Sequence, residues 1–234
     1  MRTAFALTGL FVLWVWAAWV PPAAAQNQPS DEISYKPPPH GAPGRRVAGA
    51  ARGAAAALPT IDLLAPDGHA GETASATPVL YYFASGPVGS PMQLTISAPR
   101  QPRPLVEADI QAPGAVGLYA LRLADLHAQL MPGVVYTWSV SIIVDRKVRA
   151  NDVVASASLQ RMPPDPALEA ALRNSPPTRR AALLAQAGLW YDAVAAAAEA
   201  KDLDRHAALD ALMEQVGLEE PAKSDRQTGA SGVR

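Results

Sequence analysis

The sequence predicts a β-sandwich of about seven antiparallel strands followed by a small C-terminal α-helical segment. Three observations predict it: short apolar runs of period two between Leu58 and Met162, a change to helical period after Met162, and the spacing L-x-P-G-x-x-Y at Leu130, Pro132, Gly133 and Tyr136.

The runs follow one another with turn residues between them. Ile61–Leu64 ends at Ala65-Pro66-Asp67-Gly68, where Pro and Gly take favoured turn positions. Val79–Ala84 mixes β-branched and aromatic residues. Met92–Ser97 alternates cleanly, with Met92, Leu94 and Ile96 inward. In Leu105–Ile110, Glu107 and Asp109 should face water. Gly117–Leu123, Leu130–Val144 and Asp152–Met162 complete the set. The prolines fall between strands or at their starts, where a missing amide donor does no harm.

Leu130–Val144 organises the sheet. Tyr136, Trp138, Val140, Ile142 and Val144 share one face. Pro132 and Gly133 favour a reversal, and the spacing to Tyr136 resembles a tyrosine corner, in which the hydroxyl bonds backbone a few residues upstream. Leu130 should pack under that ring and Trp138 beside it. The resemblance implies an Ig-like or fibronectin III-like sandwich, an architecture that leaves the ligand open.

After Met162, Asp165 is placed to cap a helix with Pro166 at its first position. Pro176 and Pro177 interrupt it, and Thr178 should cap a second helix reaching Ala187. Gly188 breaks the chain before a third helix, Trp190–Ala200. Asp204 should cap a fourth, which Gly217 ends in the left-handed conformation. Ala187-Gly188-Leu189-Trp190-Tyr191-Asp192-Ala193 resembles the turn of a tetratricopeptide helix pair. One such unit is too few for a solenoid, so a helical appendage on the sandwich, or a single peptide-docking hairpin, is expected.

The N-terminal part reads differently. Arg2, an uncharged run from Ala4 to Val20, the breakers Pro21-Pro22 and the small residues Ala23-Ala24-Ala25 form an export signal, with cleavage between Ala25 and Gln26. The run is near the lower limit for spanning a bilayer, about 17 residues, so an uncleaved anchor is the alternative. Removing the signal takes away one base and no acid from a chain of net charge −1. The aromatic-poor, near-neutral remainder argues against nucleic acid as a partner. With no Cys, stability must come from packing alone. The expected organisation is a signal peptide at 1–25, a Pro/Gly/Arg-rich linker or recognition arm at 26–57, the sandwich at 58–162, helices at 163–217 and a disordered tail at 218–234.

No chemistry-bearing spacing appears. His40, His69, His127 and His206 are scattered without a ligand partner, and neither a serine-nucleophile elbow nor a phosphate-loop spacing is present. Catalytic, cofactor and metal residues are therefore not assigned. The candidate interaction residues are Tyr35, Pro37, Pro38, Pro39, Gly41, Arg45, Arg46 and Arg52 in the arm, and Trp190, Tyr191 and Asp192 at the helix joint.

Tyr35-Lys36-Pro37-Pro38-Pro39-His40-Gly41-Ala42-Pro43-Gly44-Arg45-Arg46, Gly53 after Arg52, Pro78 with Tyr81 and Tyr82, Tyr136-Thr137-Trp138, and Gly188-Leu189-Trp190-Tyr191-Asp192-Ala193 together resemble the domain of unknown function 928 (DUF928) family of bacterial exported proteins. Where the family pattern has Gly-Thr-Arg-Gly, this chain has Ala50-Ala51-Arg52-Gly53. The resemblance implies export and no established activity. The functional expectation is a non-enzymatic periplasmic or secreted protein that binds another envelope protein, with no stable membrane span after cleavage. A polysaccharide-binding module is the alternative, requiring Tyr81 or Tyr82 exposed beside a groove. A cryptic enzyme would need distant acids or histidines to converge on a cleft.

Overall fold

The computed structural model describes residues 33–39, 41–48, 58–200 and 203–224. The signal sequence, His40, the segment from 49 to 57 with Arg52 and Gly53, and the end of the chain from 225 lie outside the described residues.

Eight strands form two sheets. β1 (Ile61–Leu63), β3 (Val79–Ala84) and β6 (Gly117–Arg122) make a three-stranded antiparallel sheet in the order β1-β3-β6. β2 (Gly71–Thr73), β4 (Met92–Ser97), β5 (Val106–Ile110), β7 (Val135–Ile142) and β8 (Val153–Arg161) make a five-stranded sheet in the order β2-β8-β7-β4-β5. Within it β2 runs parallel to β8 and the other pairs are antiparallel.

Strand alternation builds the core. Leu94 and Ile96 of β4, Trp138, Val140 and Ile142 of β7, and Ala155, Ala157 and Leu159 of β8 are all buried. From the other sheet come Ile61, Leu63, Leu80 and Tyr82. Each such aliphatic side chain contributes about 1.5–3 kcal/mol on full burial. Met92–Ser97 alternates buried and half-buried as its sequence predicts, and Glu107 and Asp109 are exposed.

Leu130–Val144 narrows to a strand of eight residues preceded by a turn at Gly133, whose φ of 75° favours glycine. The Tyr136 hydroxyl accepts from the Met131 backbone N–H at 3.0 Å, and Leu130 and Trp138 are buried beside it. Pro132 and Gly133 are exposed at the reversal.

The eighth strand, β2, is an addition to the expected seven. It is three residues long, Gly-Glu-Thr, too short and too polar to show a period. Its parallel pairing also departs from an all-antiparallel sandwich.

The helices are α1 (Pro166–Arg173), α2 (Pro177–Gln186), α3 (Trp190–Glu199) and α4 (Leu203–Gln215). Asp165 caps α1 by accepting from Leu168 N–H at 2.7 Å. α2 starts two residues early, on Pro177 with Pro176 at the cap position, so Thr178 lies inside it; Asp204 similarly lies inside α4. Gly217 has a φ of 70°. The expected disordered tail is helical over 219–224, and buried Leu218 and Ala222 anchor it.

The stretch expected as a linker or arm is tied to the fold at several of its described residues, although Lys36, Pro37, Pro39 and Arg45 stay exposed. Ile33 and Tyr35 are buried. Val47 and Ser156 exchange backbone hydrogen bonds of 2.7 and 2.9 Å, which places Val47 on the β8 edge that β2 also uses. Composition misled here: prolines removed the periodicity, and the apolar anchors are only two residues.

Candidate functional site

Trp138, Trp190, Tyr191 and Tyr35 converge where the arm, the sandwich and α3 meet. Gly188, with a φ of 81°, turns the chain so that α3 begins on Trp190 and drives its first residues inward. Trp138 Nε1–H donates to the Tyr191 hydroxyl at 2.9 Å, and that hydroxyl donates to the Ser158 carbonyl at 3.0 Å. Trp190 Nε1–H donates to the Leu64 carbonyl at 2.8 Å, and its ring meets that of Tyr35 edge-on, with centroids 4.9 Å apart. Burial holds the Tyr191 phenol well above its ordinary pKa. Asp192 Oδ2 accepts from Ala74 N–H at 2.7 Å; burial raises its pKa, and the hydrogen bonds it accepts oppose that rise. Trp190, Tyr191 and Asp192 are thus joint residues, and the expectation that they form an interaction surface is corrected: each spends its polar atoms inside the molecule.

The arm residues divide. Tyr35 N–H donates to Gln215 Oε1 at 2.7 Å, Lys36 N–H to the Ala185 carbonyl at 3.0 Å, and Ala70 N–H to the Ala42 carbonyl at 2.8 Å. Gly41 N–H closes a turn onto the Pro38 carbonyl at 3.1 Å. Pro37, Pro39 and Arg45 stay exposed, while Pro38 and Gly41 are half-buried. Arg46 donates to the Ala65 carbonyl at 2.9 Å; burial lowers its pKa, and Asp67 and Asp62 counter that.

The Tyr35 hydroxyl lies 2.7 Å from His69 Nε2, a hydrogen bond whose donor is set by the imidazole tautomer. Burial lowers the His69 pKa, and burial with the nearby Glu72 charge raises that of Tyr35. Both shifts favour the neutral forms, which suits a latch between the two rings.

Two open recesses flank β6 instead. On the outer face of the three-stranded sheet, Tyr81 and Phe83 of β3, Leu118 of β6, and Arg205 and Leu209 of α4 surround about 420 Å³. On the inner face, Tyr82, Tyr119 and Leu121 with Ile110 and Leu126 surround about 360 Å³. Tyr119 borders both; its ring stacks on Tyr82, its cross-strand partner, at 5.5 Å. Tyr82 is buried, and burial pushes its pKa up to about 12, whereas Tyr81 is half-exposed. The sequence singles out the Tyr81/Tyr82 pair as surface candidates. It does not single out Phe83 or Arg205, because the recess exists only where β3 and α4 come together.

A family model described as Domain of Unknown Function (DUF928) matches residues 47–226. The chain belongs to the DUF928 family. No curated protein and no solved structure matches it. The DUF928 match begins at Val47, so Tyr35–Arg46, which carried part of the resemblance, lies upstream of the matched span. It contains the strands, both recesses and the helix joint.

Among the described residues of this DUF928 protein, no group of three His, Cys, Asp or Glu side chains is placed to hold a metal ion. No helix there is long and apolar enough to cross a membrane.

Proposed function

We propose that this chain is an exported, non-enzymatic accessory protein of the bacterial envelope that binds another protein there, on an Ig-like or fibronectin III-like scaffold. In this reading the signal is removed between Ala25 and Gln26, and the mature chain acts in the periplasm or outside the cell. The supporting observation is the outer recess, where half-exposed Tyr81 and Leu118 line apolar and aromatic surface over buried Phe83 and Leu209, with Arg205 at its edge. Surfaces of this composition, rich in aromatic residues and Arg, supply most of the energy of protein–protein contacts.

A photo-crosslinking residue at Tyr81 tests the reading in cells, with one at Val154, exposed on β8, as the control. The expected result is a discrete protein adduct from Tyr81 alone. Equal adducts from both positions, or none from either, would end this reading.

A polysaccharide-binding reading draws on Tyr81, half-exposed beside a recess. It requires Tyr81→Ala to abolish retention on insoluble cell-wall polysaccharide, and retention of that variant would exclude it.

A further inference from the structure

We propose that the free edge of β6 takes up an extended segment of a partner protein as an added strand, with alternate side chains entering the two recesses. This rests on the protein-binding reading and names its site and the chemistry of its partner.

β6 stands out among the sheet edges. β1 and β2 are three residues each. β5 displays Glu107 and Asp109, with Arg146 3.6 Å from Asp109, and charged side chains of this kind keep an edge from pairing. β6 runs from Gly117 to Leu121 with neither a charge nor a proline before it reaches Arg122.

Its backbone orientation follows from the ladder. Leu123 N–H donates to the Pro78 carbonyl, and Leu121 and Tyr119 stand opposite Leu80 and Tyr82. Strand alternation then turns the amides and carbonyls of Leu118, Ala120 and Arg122 away from β3. The amides of all three and the carbonyls of Leu118 and Ala120 have no backbone partner elsewhere among the described residues, whereas the Arg122 carbonyl opens the 3-10 turn over Leu123–Leu126. They are the template an added strand needs.

The recesses supply what backbone pairing lacks. Successive side chains of a strand point to opposite faces, and the two recesses lie on opposite faces of this one strand with Tyr119 between them. In recognition by strand addition, main-chain bonds provide affinity and pockets for alternate side chains provide selectivity.

Charge narrows the partner. Arg205 at the outer recess and Arg122 at the edge have no ion pair among the described residues. Asp125 borders the inner recess. The segment therefore carries apolar residues on its inner face and a carboxylate on its outer face.

The test uses the full exported chain and a short fluorescent acetylated peptide, valine on one face and threonine with one glutamate on the other. Two further peptides carry N-methyl groups on one or the other alternate set of amides. Strand addition uses only one edge of the peptide, so one methylated set should lose affinity by about tenfold or more while the other binds like the parent. Glutamate-to-glutamine exchange should weaken binding, and Arg205→Ala should erase that difference. Ala120→Pro removes an edge-facing amide, a place where strands tolerate proline, and should abolish binding.

If Ala120→Pro does not fold, the methylated pair decides. Equal behaviour of the two methylated peptides, or no binding by the parent, overturns the proposal. So does a concentration-dependent dimer that Ala120→Pro dissolves, which would make a second copy the occupant. Failure here together with a discrete Tyr81 adduct leaves the protein-binding reading standing; failure of both removes it.

Discussion

The indole N–H of Trp138 donates to the hydroxyl of Tyr191 across the boundary between β7 and α3, and both rings are buried. The hydroxyl in turn donates a hydrogen bond to the Ser158 carbonyl, so one oxygen serves both the buried indole N–H and the backbone of β8. The five-stranded sheet and α3 are thereby joined by a polar contact inside an apolar setting.

Tyr191→Phe keeps the ring and leaves the Trp138 N–H without its acceptor. The expected loss is about 2–3 kcal/mol, one hydrogen bond plus the cost of a buried N–H left without an acceptor. Urea denaturation followed by tryptophan fluorescence measures it. A loss below about 0.5 kcal/mol would mean that the joint carries no such weight.

Tyr136→Phe removes the acceptor for the Met131 N–H. Met131 is 65% exposed, so water can replace the lost bond, and the cost stays near about 1 kcal/mol without unfolding. An unchanged denaturation midpoint would count against the tyrosine-corner role.

Gly44→Ala tests the attachment of the arm. A Cβ at this position would stand 2.3 Å from the His69 carbonyl carbon and 2.4 Å from the Ala70 nitrogen, and backbone cannot step aside as a flexible side chain can. The expected cost is at the upper end of about 1–3 kcal/mol, with faster tryptic cleavage at Arg45 and Arg46. Gly114→Ala, with nothing within 4 Å, is the control and should leave both unchanged.

Glu72 is 8% exposed and accepts no hydrogen bond among the described residues, and burial raises its pKa above the ordinary 4.5. A carboxyl that is harder to ionise when folded costs stability above its raised pKa and nothing below its ordinary one. Glu72→Gln should therefore exceed the native protein in melting temperature at neutral pH, and the gap should close on acidification to about pH 4. His69 titrates in both proteins and cancels from the comparison. A gap that persists in acid would assign the effect to packing.

Local features were the legible ones. The spacing from Leu130 to Tyr136 announces a corner because all its parts lie within one turn, and Asp165-Pro166 announces a helix start for the same reason. The arm was not legible, since Tyr35 is buried by Trp190 and held by Gln215, residues that sequence proximity does not suggest. Trp190 and Tyr191 read equally well as docking surface or joint until the strands beneath them are placed. Of the outer recess only Tyr81 was anticipated, because Arg205 reaches it from another layer of the molecule.

The bond from Tyr35 to Gln215 spans 180 positions. At a synthesis rate of about 5–20 residues per second, Tyr35 leaves the ribosome about 10–40 s before its partner is made. For that interval the Tyr35 ring can meet His69, made soon after it, while the Tyr35 amide waits for Gln215 and α4 closes the contact. A ribosome stalled before α4 would hold a nascent chain whose strands are complete and whose Tyr35 amide still lacks its acceptor.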